Sequence, residues 1–276
     1  MGELEYRKAT LDLSACSRYE LSIQVSLDGF LFSVCTPGPG DILWWKSVPG
    51  EHIGYGQLLR SVKEHLPAEL HSAPSFGGVS VALADPRFSL IPQPLFSDKV
   101  ATQLLGPSQP SMADTETVIT PLHQFDAVLA FPFPEELALF FRQHFPGCLI
   151  THEMALLLRN FSHFLPGGLY VHLHRSWFTL ISFREGKPDV VNTFEYRTEY
   201  DLLYYILSFL NMPGNRDLTV TLSGGLHQEE SPFLLLKKHV PRVTLIGTSC
   251  PEQAGGFPPE IPLQWLPGLM PLQPCV

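Results

Sequence analysis

The chain shows one hydrophobic pattern twice. In the first copy Leu21, Ile23, Val25 and Leu27 alternate with Ser22, Gln24 and Ser26, the period of two that marks a half-buried strand. Asp28-Gly29 supplies the positive φ of a tight hairpin. Residues 30–36 return as a second strand, Pro37-Gly38-Pro39-Gly40 breaks it, and residues 41–48 make a third. After Pro49-Gly50, apolar Tyr55, Leu58, Leu59, Val62 and Leu66 recur at helical spacing until Pro67 stops the run.

The second copy repeats this order. Leu169, Val171 and Leu173 alternate with Tyr170, His172 and His174, and Arg175-Ser176 turns the chain. Residues 177–184 come back, Glu185-Gly186-Lys187-Pro188 turns again, and residues 189–196 form the third strand. Thr198 and Asp201 have the spacing of a capping box, which satisfies orphan amides at a helix start. Leu203, Ile206, Leu207 and Leu210 form the apolar stripe that follows. Each copy precedes another apolar, β-rich run, residues 79–84 and 218–222, read as fourth strands. A duplicated β-β-β-α-β unit predicts a two-lobed α/β fold, mixed sheets flanked by helices, with a cleft between the lobes.

The stretch between the copies is less regular. It predicts a short helix within 92–106, a loop over 107–114 and a short strand at 127–131. A helix then opens at Pro134 with Glu135 and Glu136 at the positive end of its dipole and Leu137, Phe140, Phe141 and His144 along it. A strand at 148–150 leads into a helix lined by Met154, Leu157, Leu158 and Phe161, closed by Pro166-Gly167-Gly168. The boundary is placed there. Residues 1–166 make the first lobe with its connecting helices, and 167–276 the second with a proline-rich tail.

Composition narrows the classes. At 276 residues the chain is near the length at which one core divides. A hydrophobic fraction of 45% is ample for burial, and formal net charge is −9 without clustered Lys and Arg, so nucleic acid is not an expected partner. No apolar run approaches the roughly 18 residues of a membrane span, which argues against direct membrane insertion. Cys16, Cys35, Cys148, Cys250 and Cys275 are odd in number and contain no C-x-x-C pair, as expected of free thiols in a reducing compartment. Leu13-Ser14-Ala15-Cys16 looks like a lipoprotein cleavage box. However, residues 1–12 carry Glu3, Glu5, Arg7, Lys8 and Asp12 with no apolar region, so a cytoplasmic location is expected.

The order of elements resembles the actin-like ATPase fold, in which two ribonuclease-H-like subdomains face each other. More specifically, the chain is similar to a bacterial family of unknown function, number 3822 in the domain-of-unknown-function series. The residues that carry this are Leu21-Ser22-Ile23-Gln24-Val25-Ser26-Leu27-Asp28-Gly29-Phe30, then Phe194-Glu195-Tyr196-Arg197-Thr198-Glu199-Tyr200-Asp201-Leu202-Leu203-Tyr204-Tyr205-Ile206-Leu207, then Leu222-Ser223-Gly224-Gly225. The likeness covers nearly the whole chain and implies the fold; the family brings no established activity. Residues 131–158 also resemble the actin-like assembly proteins of type IV pili and type II secretion.

An active member needs phosphate-facing hairpins with glycines, a hydroxyl or amide donor, and an acid near magnesium. Ser26-Leu27-Asp28-Gly29-Phe30 keeps one Asp and one Gly, though Asp28-Gly29 is also an ordinary turn. His174-Arg175-Ser176-Trp177 has neither glycine nor acid, and an indole there would crowd phosphates. Ser223-Gly224-Gly225 resembles the strand-to-loop element that contacts adenosine, where glycines allow close approach; the bland alternative is a strand-to-helix turn, with Ser231 capping the next helix and Pro232 in its first turn. Candidate nucleotide contacts are therefore Asp28, Gly29, Ser223, Gly224 and Gly225, with ATP or ADP the only cofactor in view. A two-metal nuclease is set aside, because the first strand carries Ser22, Gln24 and Ser26 in place of carboxylates.

Other chemistry is thinner. His172 and His174 share a strand face, but a third metal ligand is not evident. His152-Glu153 starts like a zinc-protease helix, yet position 156 is Leu. No catalytic or metal-binding set is expected. The favoured reading is a noncatalytic actin-like scaffold that binds an unidentified protein partner or itself. The alternative is a nucleotide-binding actin-like ATPase or small-molecule kinase with degenerate phosphate loops. Trp44-Trp45 and the tail 257–276 around Trp265 are the expected contact regions.

Overall fold

Two sheets organise the chain, one in each of two compact units, the first running to Leu156 and the second starting at Leu157. The computed structural model describes residues 3–37, 41–72, 75–106, 114–164, 168–225 and 230–246, with Ile261 and Trp265.

The first unit contains β1 (Leu4–Arg7), β2 (Glu20–Ser26), β3 (Gly29–Cys35), β4 (Ile42–Pro49), α1 (Tyr55–His65), α2 (Ala68–Ser72) and β5 (Gly78–Leu83). An insertion follows: β6 (Ser89–Pro92), α3 (Asp98–Leu105), β7 (Thr115–Leu122) and β8 (Ala127–Pro134). The unit closes with α4 (Glu135–His144), β9 (Leu149–His152) and the start of α5 (Glu153–Phe164). Its main sheet is six-stranded in the order β1-β4-β3-β2-β5-β9. β2, β3 and β4 form an antiparallel meander, while β5 runs parallel to β2 and β9 parallel to β5. The insertion makes a separate three-stranded sheet, β6-β8-β7.

The second unit contains β10 (Leu169–Leu173), β11 (Trp177–Arg184), β12 (Lys187–Glu195), α6 (Glu199–Leu210), β13 (Val220–Gly224), α7 (Ser231–His239) and β14 (Val243–Leu245). The strand order is β12-β11-β10-β13-β14. Leu169, Val171, Leu173, Phe178 and Leu180 from the sheet pack with Leu202 and Ile206 of α6 and Leu236 of α7. The predicted capping box is formed: the Thr198 hydroxyl accepts from Asp201 N–H while the Asp201 carboxylate accepts from Thr198 N–H.

The duplication extends to register. Leu21, Ser22, Ile23 and Gln24 face Val79, Ser80, Val81 and Ala82 across the parallel pair in the first unit. Leu169, Tyr170, Val171 and His172 face Val220, Thr221, Leu222 and Ser223 in the second. The hairpins match as well, Ser26 opposing Gly29 in one and His174 bonding Trp177 in the other. Gln24 is thus the counterpart of His172, and Gly29 that of Trp177.

Several sequence expectations change. β2 is buried on both faces, Ser22 and Gln24 included, because it lies centrally between β3 and β5. β1, β6, β7 and β14 are additional strands; β1, β6 and β14 are short segments whose pairing comes from distant partners, and β7 pairs with the neighbouring β8. Trp44 and Trp45 are not a contact region, being 2% and 1% exposed. β1 lies along β4, placing the Arg7 guanidinium 4.1 Å above the Trp44 ring and Glu5 Oε1 2.8 Å from its Nε1–H. Glu230, not Ser231, is the N-cap residue of α7, and its side chain makes no cap bond. The glycines of the breaker at 37–40, the loop 107–114 apart from Asp114, Pro166-Gly167, Cys250, Cys275 and the tail 257–276 apart from Ile261 and Trp265 lie outside the described residues. Among the described residues no helix is long and apolar enough to cross a membrane.

Candidate functional site

In open α/β sheets, ligands gather where parallel strands end at their carboxyl edge. Each unit has one such edge: the ends of β2, β5 and β9 in the first, and of β10, β13 and β14 in the second.

Asp28 and Gly29 sit at the β2–β3 turn. Gly29 has φ +128°, and a Cβ there would lie 2.3 Å from Val48 O and 2.8 Å from Gly50 N. Glycine is therefore required by the close passage of the end of β4. The turn is closed on itself: Asp28 N–H donates to Ser26 Oγ at 3.1 Å, and the Ser26 hydroxyl donates to Gly29 O at 3.2 Å. The segment after β4 straps it further, with Gly50 N–H on Asp28 O at 2.8 Å and His52 N–H on Leu27 O at 2.9 Å. Burial lowers the His52 pKa, against the opposing pull of the Asp28 charge.

The ends of β5 and β9 carry a polar network that local sequence patterns did not reveal. Asp85 is 4% exposed. Its Oδ1 accepts from Arg87 Nε and from Arg87 N–H, both at 2.8 Å, and its Oδ2 accepts from Arg87 Nη2 at 2.9 Å and from the Tyr55 hydroxyl. Arg87 Nη2 also reaches Tyr55 Oη at 3.0 Å. Burial alone would raise the Asp85 pKa, but the hydrogen bonds and charge of Arg87 outweigh it and hold the carboxyl below its ordinary value. The Arg87 pKa is pushed up, first by its hydrogen bonds to Asp85. Burial, then the Asp85 charge, pushes the Tyr55 phenol up as well.

His152 is consumed structurally. Its Nδ1 accepts from Met154 N–H at 3.0 Å, so Nε2 carries the hydrogen and donates to Asp85 O at 3.0 Å. The ring thereby caps α5 and ties it to the end of β5, wedged beside Phe88 and Phe131. Glu153, at the first turn of α5, is 1% exposed and accepts from Gln24 Nε2. One signal could have pointed here: Asp85 directly follows an apolar strand, a common position for a functional acid. Tyr55 and Gln24 lie too far away in sequence to announce themselves.

In the second unit, Ser223 is fully buried, with Oγ 2.8 Å from His172 Nδ1. The glycines that follow differ from each other. Gly224 has φ +94°, and a Cβ would lie 2.1 Å from Leu173 O, so packing against β10 demands glycine. Gly225 donates its N–H to Leu173 O at 3.1 Å, and its missing Cβ would point into open space. At the neighbouring turn, His174 N–H donates to Trp177 O at 2.9 Å and the Trp177 indole stacks on the His174 ring at 3.8 Å. Tyr196 Oη–H donates to His174 O at 2.7 Å. The expected contacts thus fall into two groups, Asp28-Gly29 in the first unit and Ser223-Gly224-Gly225 in the second.

These paired sheets, each ordered third-second-first-fourth-fifth strand of its own copy, define an actin-like ATPase fold. A Bacteroides thetaiotaomicron protein with actin-like ATPase fold and unknown function matches with a TM-score of 0.73 at 22% identity, covering 89% of this chain and 98% of its own. The PilM–PilN type IV pilus biogenesis complex matches with a TM-score of 0.51 at 14% identity, covering 87% of this chain and 91% of that one. The chain belongs to the DUF3822 family of proteins of unknown function, whose profile matches residues 8–243. No curated protein matches it.

Proposed function

We propose that this is a noncatalytic actin-like module that acts in the cytoplasm by binding a protein partner or itself. One observation carries the reading: the first hairpin turn spends its donors internally, and the second holds an indole where the first has Gly29. Phosphate cradles work by presenting backbone N–H groups and a hydroxyl to the ligand. In the first turn Asp28 N–H and the Ser26 hydroxyl are used within Ser26–Gly29, and in the second His174 N–H closes onto Trp177 O. The position equivalent to Gly29 holds an indole. Two further features are consistent. Cys16, Cys35 and Cys148 are free thiols, and α6 presents exposed Tyr200 and Tyr204 one turn apart, amphipathic rings suited to a protein contact. The PilM–PilN assembly, a complex built on the same fold class, is a precedent for such use.

A specific observation favours a second reading, nucleotide binding without turnover: Gly225 faces open space at the carboxyl end of β13. The test is phosphate release by the full chain with ATP and Mg²⁺, expected to stay at buffer background. Turnover abolished by Asp28→Ala would overturn the noncatalytic reading. A thermal shift with ADP that Gly225→Phe removes, with the apo melting temperature retained, would establish the second reading. Gly224 is unsuitable for that experiment, since any side chain there strikes Leu173.

A further inference from the structure

We propose that His172 and His174 are the protein ligands of a divalent transition-metal ion, Zn²⁺ being the best fit, with water completing the shell. His172 lies on β10 and His174 one residue past its end, two positions on, so that the two rings meet edge to face on the same side of the chain. Their ring centroids are 5.0 Å apart, and a ring nitrogen of each lies within 4.8 Å of the other. Zinc–nitrogen bonds of about 2.0–2.1 Å place two ligand nitrogens of a tetrahedral site roughly 3.4 Å apart. Binding therefore draws the two imidazoles together by rotation about their side-chain torsions.

The surroundings are those of a ligand pair. A metal-bound imidazole typically holds a hydrogen-bond partner on its other nitrogen, which fixes the ring and tautomer. His172 has this in Ser223 Oγ, 2.8 Å from Nδ1, so Nε2 is its ligating nitrogen. His174 is oriented by the stacked Trp177 indole, its rings inclined by only 12°. His172 is 4% exposed, while His174 is half-buried and provides the entry path. Imidazole donors suit Zn²⁺, Ni²⁺ and Cu²⁺, and disfavour Mg²⁺ and Ca²⁺. At the matching positions the first unit carries Gln24 and Ser26, so the pair belongs to the second unit alone.

The experiment uses the full chain, dialysed against chelator and titrated with Zn²⁺ in competition with a chromophoric chelator. The expected result is one ion per chain, with affinity lowered at least tenfold in His172→Gln and in His174→Gln, and about tenfold in Ser223→Ala. A parallel titration with Cu²⁺ reads Trp177 directly. Quenching should saturate at one equivalent in the parent chain and be lost in Trp177→Phe, which still binds Zn²⁺. Circular dichroism confirms that each variant is folded, and His174→Gln, on a half-buried side chain, remains decisive if His172→Gln is not. Absence of Zn²⁺ binding overturns the proposal. So does binding that His174→Gln leaves unchanged, since the ion then sits on other histidines.

Discussion

Replacing Arg87 with Met should cost the first unit about 3 kcal/mol, because it strands a buried carboxylate. The substitution removes the Nε and Nη2 hydrogen bonds to Asp85, at 2.8 and 2.9 Å, and the contact with Tyr55 Oη at 3.0 Å. Breaking a fully buried ion pair typically costs about 3–5 kcal/mol. The Arg87 side chain retains 24% exposure while that of Asp85 has 5%, which moves the expectation toward the lower end. Asp85 keeps the Arg87 backbone N–H and the Tyr55 hydroxyl, which spares part of the loss.

The pH dependence has a definite sign. Asp85 in the parent chain has a folded pKa below its ordinary 3.8, so its contribution is present above about pH 4 and is lost as pH falls through the folded value. In Arg87→Met, burial is no longer opposed by the guanidinium, and the folded pKa rises above the unfolded one. Acidification then favours the variant's folded state, and its deficit relative to the parent shrinks toward pH 4. Urea denaturation followed by tryptophan fluorescence in a Trp177→Phe background, where the buried Trp44 and Trp45 of this unit contribute, measures the loss. Asp85→Asn added to Arg87→Met should recover part of the loss by removing the stranded charge. A deficit below about 0.5 kcal/mol at pH 7, comparable to an ordinary surface substitution, or one that grows on acidification, would refute the reasoning.

The adjacent glycines of the second unit should respond oppositely. Gly224→Ala forces a Cβ to within 2.1 Å of Leu173 O at φ +94° and is expected to lower the melting temperature sharply or prevent folding, whereas Gly225→Ala enters open space and should stay within roughly 1 kcal/mol. Equal losses in thermal melts would contradict the assignment. Thr198→Ala removes the acceptor for Asp201 N–H at the start of α6 and should cost about 1 kcal/mol in chemical denaturation, with Thr198→Ser close to the parent.

Much of the fold was legible along the chain because its causes are local. Alternation at Leu21, Ile23 and Val25, the Asp28-Gly29 turn, the stripe from Tyr55 to Val62 and the Thr198/Asp201 box each depend on residues within one or two turns of each other. β1 and β14 were not legible. A four-residue or three-residue strand has too short a period to stand out, and its pairing energy comes from β4 or β13, far away in sequence. The same limit hid the polar network. Tyr55 meets Asp85 and Gln24 meets Glu153 only because parallel strands carry their ends to one edge of the sheet. Sequence also showed glycines at 224 and 225 without distinguishing them. β10 passes beside both, but a Cβ on Gly224 would strike Leu173 while one on Gly225 would point into open space, which makes glycine a packing requirement at the first position alone. Trp44 and Trp45 follow the same rule: their hydrophobicity is a property of the residues, but their burial is decided by the strand that lies beside them.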